Sequence, residues 1–549
     1  MVAKKTSSKK SPPRKSIPKK PNTTTTFERE RSHDFRWLFL ILLLPLIIFA
    51  CIKFNPINAD HTASDLINAM DIDNGDEKVN WDSLATTKIN LTKTLTITQA
   101  GIYYITGSLS DGSIIVNVTK EQAVKLILDD VTIKNPAGPA ISCLEGDDLV
   151  IELVGNNTLE DGATYSADLD VDIKGAIYSK ADLTFEGNGV LNLTARHEDG
   201  IVGKDDLKIK SGTYNITAAD DAIRGKDSVY ILDGNFNLTS QADGIKSTEE
   251  LAMRKGFVLI KNGNFVIDAG AKGIKAPKHV LIQNGNFTLK TFDDALHSND
   301  CLGITGGDIN ITAGDDAIHA DYELIVDGGR INIERGYEGI EAQVVTINDG
   351  DITLYTADDG INAGSGADAS ALNRPGANNF KDDEDSVINI NGGVIRINAT
   401  GDGIDSNGYL YFNGGTTIID GPTKDTNGAL DAGLGIIMNG GEVIAVGASG
   451  MAVPLGQNSR IYNVSVFFPE SFPADTEIEI RDADGNLVLS HTSAKKFSHL
   501  SAGSSKFIPT KEYTIYINDK IYEKFVISSI LTTVKNSNQS LPQPAQGSH

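Results

Sequence analysis

Asp199-Gly200-Ile201, Asp221-Ala222-Ile223, Asp243-Gly244-Ile245: one phrase, an acid, a small residue and an isoleucine, returns at a constant interval. It continues at Asp294-Ala295-Leu296, Asp316-Ala317-Ile318, Glu338-Gly339-Ile340, Asp359-Gly360-Ile361 and Asp402-Gly403-Ile404, while Lys272-Gly273-Ile274 keeps the frame with the acid replaced. The steps from residue 199 are 22, 22, 29, 22, 22, 22, 21 and 43 residues. The step of 29 is one turn with a loop near Thr248 to Lys255, and the step of 43 is one turn with an insertion, Gly364 to Ser386. A fixed period in this range marks a solenoid, in which each repeat buries its apolar face only against its neighbours.

Each period holds two further strand signals. One is a Leu/Val-x-Ile run, as in Leu207-Lys208-Ile209 and Val229-Tyr230-Ile231; the other follows a glycine turn, as in Gly212-Thr213-Tyr214-Asn215-Ile216 and Gly307-Asp308-Ile309-Asn310-Ile311. Apolar residues alternate with polar ones, so one face of each strand is buried. Three short strands in 22 residues leave no room for a helix, which excludes a leucine-rich horseshoe, and propeller blades need about twice this period. The expectation is an all-β chain, a right-handed parallel β-helix of about 22 residues per turn over residues 81–460. A small β cap over 461–530 would cover its open edge, and a polar disordered tail, 531–549, would follow.

Upstream, residues 1–36 read as a basic disordered tail, 37–54 as a membrane anchor built on the uncharged run Trp37 to Ile52, and 55–80 as a linker. The basic side of the anchor stays in the cytoplasm, so the solenoid is expected outside the cell, on a single-pass chain. A cleaved signal peptide and a lipoprotein signal at Ile48-Phe49-Ala50-Cys51 are the alternatives. Residues 1–53 carry twelve Lys/Arg against three acids, a balance of +9; the remainder carries 37 against 70, a balance of −33. Such an acidic body repels nucleic acid and attracts cations. The cysteines, Cys51, Cys143 and Cys301, are far apart and form no CxxC pair, so they suggest neither a zinc site nor a disulfide framework; a Cys143–Cys301 bridge stays open. Asn-x-Thr triplets at Asn90, Asn117, Asn192, Asn215, Asn237 and Asn310 match glycosylation acceptors, but they fall on repeat strands and read as repeat chemistry.

The period turns sequence into columns. Residues one turn apart lie about 5 Å from each other, so Asp220, Asp221, Asp243, Asp293, Asp294, Asp315, Asp316, Glu338, Glu341, Asp358, Asp359, Asp402 and Asp405 form an acidic track. Carboxylates at that spacing repel unless a cation intervenes, and hard oxygen donors suit Ca²⁺. Asn299, Asp321, Asn362 and Asn407 could complete coordination. The plainer reading is that these acids form turns and satisfy backbone N–H groups. The residue after each isoleucine makes a second column that runs from basic to acidic: Arg224, Lys246, Lys275, His297, His319, Glu341, Asn362, Asp405. Read as an outward polar face, it offers Arg224, Lys246, Lys275, His297, His319 and Asn362 to an extended polymer. The insertion, with Asp382-Asp383-Glu384-Asp385, would overhang the same face.

Gly101-Ile102-Tyr103-Tyr104-Ile105-Thr106-Gly107, Ile177-Tyr178-Ser179-Lys180-Ala181-Asp182-Leu183, the Asp-Asp-Ala-Leu/Ile-His phrases at 293 and 315, Tyr337-Glu338-Gly339-Ile340-Glu341 and Gly403-Ile404-Asp405-Ser406-Asn407-Gly408 together resemble the bacterial carbohydrate-binding domain-containing β-helix family, of the clostridial cellulose- and pectin-binding type. The resemblance covers residues 81–525. It implies a pectate-lyase-like fold that binds calcium and acidic or cellulosic polysaccharide, without established catalysis. Lys272 departs from the pattern where that column usually carries an acid. Three functions compete: non-catalytic, calcium-dependent polysaccharide binding by a monomeric surface protein; a calcium-dependent lyase of uronate polymers, with Lys246, Lys275 or Arg224 as the base; and an adhesive stalk stiffened by calcium.

Overall fold

The computed structural model describes residues 62–73, 75–364 and 383–535. The chain is all-β, a parallel β-solenoid of about 15 turns. Three strands per turn each pair in parallel with the equivalent strand one turn on, starting from Thr86–Leu91 against Gly101–Leu109. The short strands Ile223–Gly225, Ile245–Ser247, Ile274–Ala276 and Leu296–Ser298 form the first sheet. The second sheet includes Phe257–Ile260, His279–Ile282 and Cys301–Ile304. The third includes Asn235–Ser240, Asn264–Ala269 and Asn286–Thr291.

The repeated isoleucine explains the winding. Ile201, Ile223, Ile245, Ile274, Leu296, Ile318, Ile340, Ile361 and Ile404 pair in unbroken register and are all buried. Each contributes about 1.5–3 kcal/mol by leaving water. Ile245 pairs with Ile274 across the 29-residue step, and Ile361 with Ile404 across the 43-residue step. Both extra lengths are therefore excursions that return the chain to the same column. On the third sheet, Tyr214, Phe236, Phe265 and Phe287 stack, with ring centroids 5.0, 4.6 and 4.6 Å apart. The polar face of that sheet carries side-chain ladders. Asn264 donates to Asn235 at 2.9 Å, Asn286 to Asn264 at 2.8 Å, and Asn215 to Asn192 at 2.9 Å. The residue between acid and isoleucine is small because the next turn's backbone lies against it. A Cβ on Gly360 would sit 2.4 Å from the Gly403 carbonyl oxygen.

At the C-terminal end, Glu442–Gly447 pairs antiparallel with Phe497–Ser504, which pairs in turn with Asn463–Phe472. A four-stranded antiparallel sheet runs in the order Leu487–Thr492, Glu477–Asp482, Glu512–Ile517, Lys520–Val526. The last parallel turn is thus covered by a reversal of strand direction.

The expected anchor, 37–54, and the basic tail lie outside the described residues, as do most of the insertion and of the C-terminal tail. Among the described residues no helix is long and apolar enough to cross a membrane. Within the stretch read as a linker, residues 62–80 lie against the solenoid where described. The Ala63 N–H donates to Asp327 Oδ2 at 2.8 Å, Arg254 donates to the Met70 carbonyl at 2.6 Å, and Asp76 pairs with Lys208 at 3.0 Å and with Lys210. Cys143 and Cys301 are both free thiols, so no bridge joins them.

Candidate functional site

The acid of the repeated phrase has a structural task. One carboxylate oxygen accepts the backbone N–H of the equivalent residue one turn on. Asp199 receives Asp221 at 3.1 Å, Asp221 receives Asp243 at 3.0 Å, Asp243 receives Lys272 at 3.0 Å, Asp294 receives Asp316 at 3.1 Å, and Asp316 receives Glu338 at 3.1 Å. Asp359 receives Asp402 at 2.6 Å, and Asp402 receives Gly428 at 2.5 Å. The turn-forming role and the charge of these acids therefore coexist, one oxygen serving each.

What faces the second oxygen changes along the solenoid. In the N-terminal half it meets a cation: Arg224 lies 2.5 Å from Asp199 Oδ2, and Lys246 lies 2.7 Å from Asp221 Oδ2 and 3.2 Å from Asp243 Oδ2. Burial acts to lower the Lys246 ammonium, but Asp221 and Asp243 outweigh it and hold the group above its ordinary value. Lys272 Nζ sits 2.6 Å from Asp294 Oδ2 and 3.1 Å from Asp293 Oδ1. The lysine that breaks the acidic pattern thus supplies a fixed positive charge to the next turn.

In the middle the facing group becomes imidazole. The His297 and His319 rings stack at 5.1 Å. His297 Nδ1 lies 2.8 Å from Asp294 Oδ2, and its Nε2 lies 3.1 Å from Asn299. His319 Nδ1 lies 2.9 Å from Glu341, and its Nε2 lies 3.1 Å from Asp321. Burial lowers His319, but Asp316, Asp321 and Glu341 together raise it well above the ordinary histidine range. Burial raises Asp294, while His297 and Lys272 pull it down further than burial lifts it.

In the C-terminal half acids face acids. Asn362 Nδ2 donates to Glu338 at 2.9 Å and to Glu341 at 3.3 Å. Glu338 is raised well above the carboxylate range by burial, then by Glu341, Asp316 and Asp359. Asp359 is raised by burial, then by Asp402, Asp405 and Asp358. Asp402 is pushed up to about 8 by burial, Asp405 and Asp431, and Asp405 to about 7 by burial and Asp431.

The two predicted columns are thus physical. Arg224, Lys246, Lys275, His297, His319, Glu341, Asn362 and Asp405 pair consecutively in register. The column is less open than an outward face: Arg224, Lys246 and Lys275 are half-buried, while His297, His319, Glu341 and Asn362 are buried. Along the track, possible metal ligands lie within 4.8 Å of one another at Asp199 with Asp220 and Asp221, at Asp293 with Asp294 and Asp315, and at Asp316 with His319 and Glu341. The residues fit calcium unevenly. At Asp221, Asp243, Asp293 and Asp294 a lysine already contacts the carboxylates. Around Glu338, Asp359, Asp402 and Asp405 no lysine or arginine among the described residues pairs with the carboxylates, burial and neighbouring acids raise these groups, and their oxygens suit a hard cation. Asp199, read from the sequence as the first copy of the phrase but not counted in the acidic track, extends that track at one end, and Asp431, beside the degenerate phrase Asn427-Gly428-Ala429-Leu430, was missed at the other. Phe292, 64 % exposed, precedes Asp293 and was also missed.

Fold and columns together define a solenoid that carries a polar track graded from basic to acidic. A family model described as carbohydrate-binding domain-containing protein matches residues 92–295 and 291–374, more than half of the chain, and the chain belongs to that family. A carbohydrate-binding domain-containing protein of Acetivibrio thermocellus is 34 % identical over 146 residues, 26 % of this chain and 51 % of that protein. The chain therefore spans about half the length of the curated relative it matches. A solved structure described as the polysaccharide lyase-like protein from C. thermocellum, a gadolinium derivative, is 28 % identical, covering 46 % of this chain and 91 % of that one with a TM-score of 0.37.

Proposed function

We propose that this chain is a non-catalytic, surface-held polysaccharide-binding protein whose graded column takes an acidic or cellulosic glycan, with Ca²⁺ at its acidic end. Family membership supports the ligand class. The observation that supports the cation is the change of charged partner along the column: lysine, then imidazole, then, at Asp359, Asp402 and Asp405, neighbouring carboxylates. Calcium there turns mutual repulsion into ligation and leaves positions for the carboxylates or hydroxyls of a uronate chain. Arg224 and Lys246 at the other end, half-buried and each paired with a carboxylate, offer N–H donors to the hydroxyls of such a chain. The solenoid is taken as right-handed, the hand favoured by strand twist in parallel crossovers. If the uncharged run Trp37 to Ile52 acts as the anchor expected from the sequence, the solenoid is held outside the cell.

A lyase reading needs an uncharged base near the metal. Lys246 is held protonated between Asp221 and Asp243, and Arg224 is committed to Asp199. At these two of the three candidate bases the geometry favours binding over proton abstraction; Lys275, half-buried, is the base that the lyase reading would use. The test is a binding isotherm with polygalacturonate for the wild type and for Asp402→Asn/Asp405→Asn. The double variant is expected to lose at least roughly tenfold in affinity and its response to calcium. Equal affinity in both proteins, with and without calcium, would reject the site.

A further inference from the structure

A second donor cluster lies on a different sheet. His279 begins the strand His279–Ile282 and pairs directly with Cys301 one turn on, which pairs in turn with Glu323. Val280 and Ile282 point into the solenoid core, so strand alternation turns His279 and Leu281 to the opposite face. Cys301 shares that face, in a separate apolar cluster with Leu281, Ala63, Leu66 and Met70. The segment Ala63–Ala69 thus roofs the neighbourhood.

Three observations converge on this point. A ring nitrogen of His279, the Cys301 sulfur and an Asp300 carboxylate oxygen all lie within 4.8 Å of one another. The His279 side chain is 8 % exposed, and its Nδ1 is enclosed with no hydrogen-bond partner among the described residues. Leaving such an atom unsatisfied costs about 1–3 kcal/mol, so it calls for an explanation. Cys301 is a free, buried thiol whose sulfur lies 3.6 Å from Asp300 Oδ1.

We propose that His279, Cys301 and Asp300 form a binding site for a borderline-soft divalent cation of the Zn²⁺ class. The donor chemistry selects the metal. Imidazole nitrogen and thiolate sulfur suit zinc and its neighbours, whereas calcium takes oxygen. Charge fits as well: a neutral imidazole, a thiolate and a carboxylate sum to the −2 that balances one divalent ion, which suits a partly apolar enclosure. Tetrahedral ligation places nitrogen and sulfur about 3.5 Å apart, so the cluster closes by small side-chain rotations about the ion. Asp300, half-buried beside the loop Asn299–Asp300, leaves a way in and a fourth position for water or Glu323. The site is separate from the acidic column and independent of the calcium reading.

The test uses the full chain, stripped with chelator and titrated with Co²⁺ as a spectroscopic stand-in for Zn²⁺. One equivalent is expected to produce the near-ultraviolet thiolate-to-cobalt charge-transfer band, and Zn²⁺ to displace it. Cys301→Ser and His279→Gln, each checked for intact β circular dichroism, should abolish the band. Cys51→Ser and Cys143→Ser should keep it, and Asp300→Asn should weaken Co²⁺ affinity by at least roughly tenfold. A folded wild type with no such band, or a band that survives in Cys301→Ser, overturns the proposal.

Discussion

Lys272→Met removes the one lysine that stands in the acid position of the repeat. Lys272 is 6 % exposed and Asp294 0 %, and their charged atoms lie 2.6 Å apart, with Asp293 at 3.1 Å. Removing one member of a buried pair costs about 3–5 kcal/mol, because the other charge stays uncompensated. Asp294 retains His297 at 2.8 Å and the Asp316 N–H at 3.1 Å, which brings the expected loss down to about 2–4 kcal/mol, or roughly 30- to 700-fold in the local opening constant. Methionine preserves much of the aliphatic stem, so the effect reports charge. A solenoid opens regionally rather than all at once, so the assay is native-state hydrogen exchange across residues 270–320. The Gly273 and Asp316 amides, bonded to the Asp294 carbonyl and to Oδ1, are the reporters. The control is Lys290→Met. Its partner Asp268 is 2.9 Å away, but the two side chains are 68 % and 57 % exposed, and the loss should stay under about 1 kcal/mol. Lys272→Met also uncovers the oxygens of Asp293, Asp294 and Asp315, which lie within 4.8 Å of one another. Calcium at a hundred times its dissociation constant would then return about 2.7 kcal/mol. Equal effects of Lys272→Met and Lys290→Met on exchange would refute this electrostatic account of the column.

Three further outcomes are expected. Phe265→Ala deletes the ring between Phe236 and Phe287, each 4.6 Å away. It should cost about 3–5 kcal/mol of local stability, read by exchange on the third sheet. Gly360→Val drives a side chain into the Gly403 carbonyl 2.4 Å from its Cβ. It should disrupt the turns around residue 361, visible as new protease cleavage there. In chelator, stability should fall as pH rises. The Asp405 and Asp402 carboxyls sit at about 7 and 8 in the folded chain. Their stabilising protonation is complete below the ordinary carboxylate value and lost as pH passes through those folded values. Thermal melts in EDTA from pH 5 to 9 check the sign, and a profile that rises over that window contradicts it.

The columns were legible because a period of 22 is a geometric statement. Once Ile245 lies over Ile223, Arg224 must lie beside Lys246, and each later pairing follows. The loop near Thr248 and the insertion after Gly364 were legible as surplus length against that period. Partner choice was not. Nothing in the spacing says that one Asp221 oxygen caps the Asp243 N–H while the other meets Lys246, or that the His297 ring is buried against His319. Those facts depend on side-chain rotamers between turns. The docking of residues 62–80 escaped for a different reason: the contact between Asp76 and Lys208 joins an aperiodic segment to a strand 132 residues away. The His279 and Cys301 pair was within reach, since 22 residues separate them, but neither belongs to the repeated phrase.

The central claim is that the column binds glycan through calcium at its acidic end. A panel of immobilised polysaccharides, polygalacturonate and cellulose among them, probed with the same protein in calcium and after EDTA, tests it most directly. The account predicts binding to one class of extended glycan in calcium, lost in EDTA and restored when calcium is returned. Glycan binding that is unchanged in EDTA would contradict it.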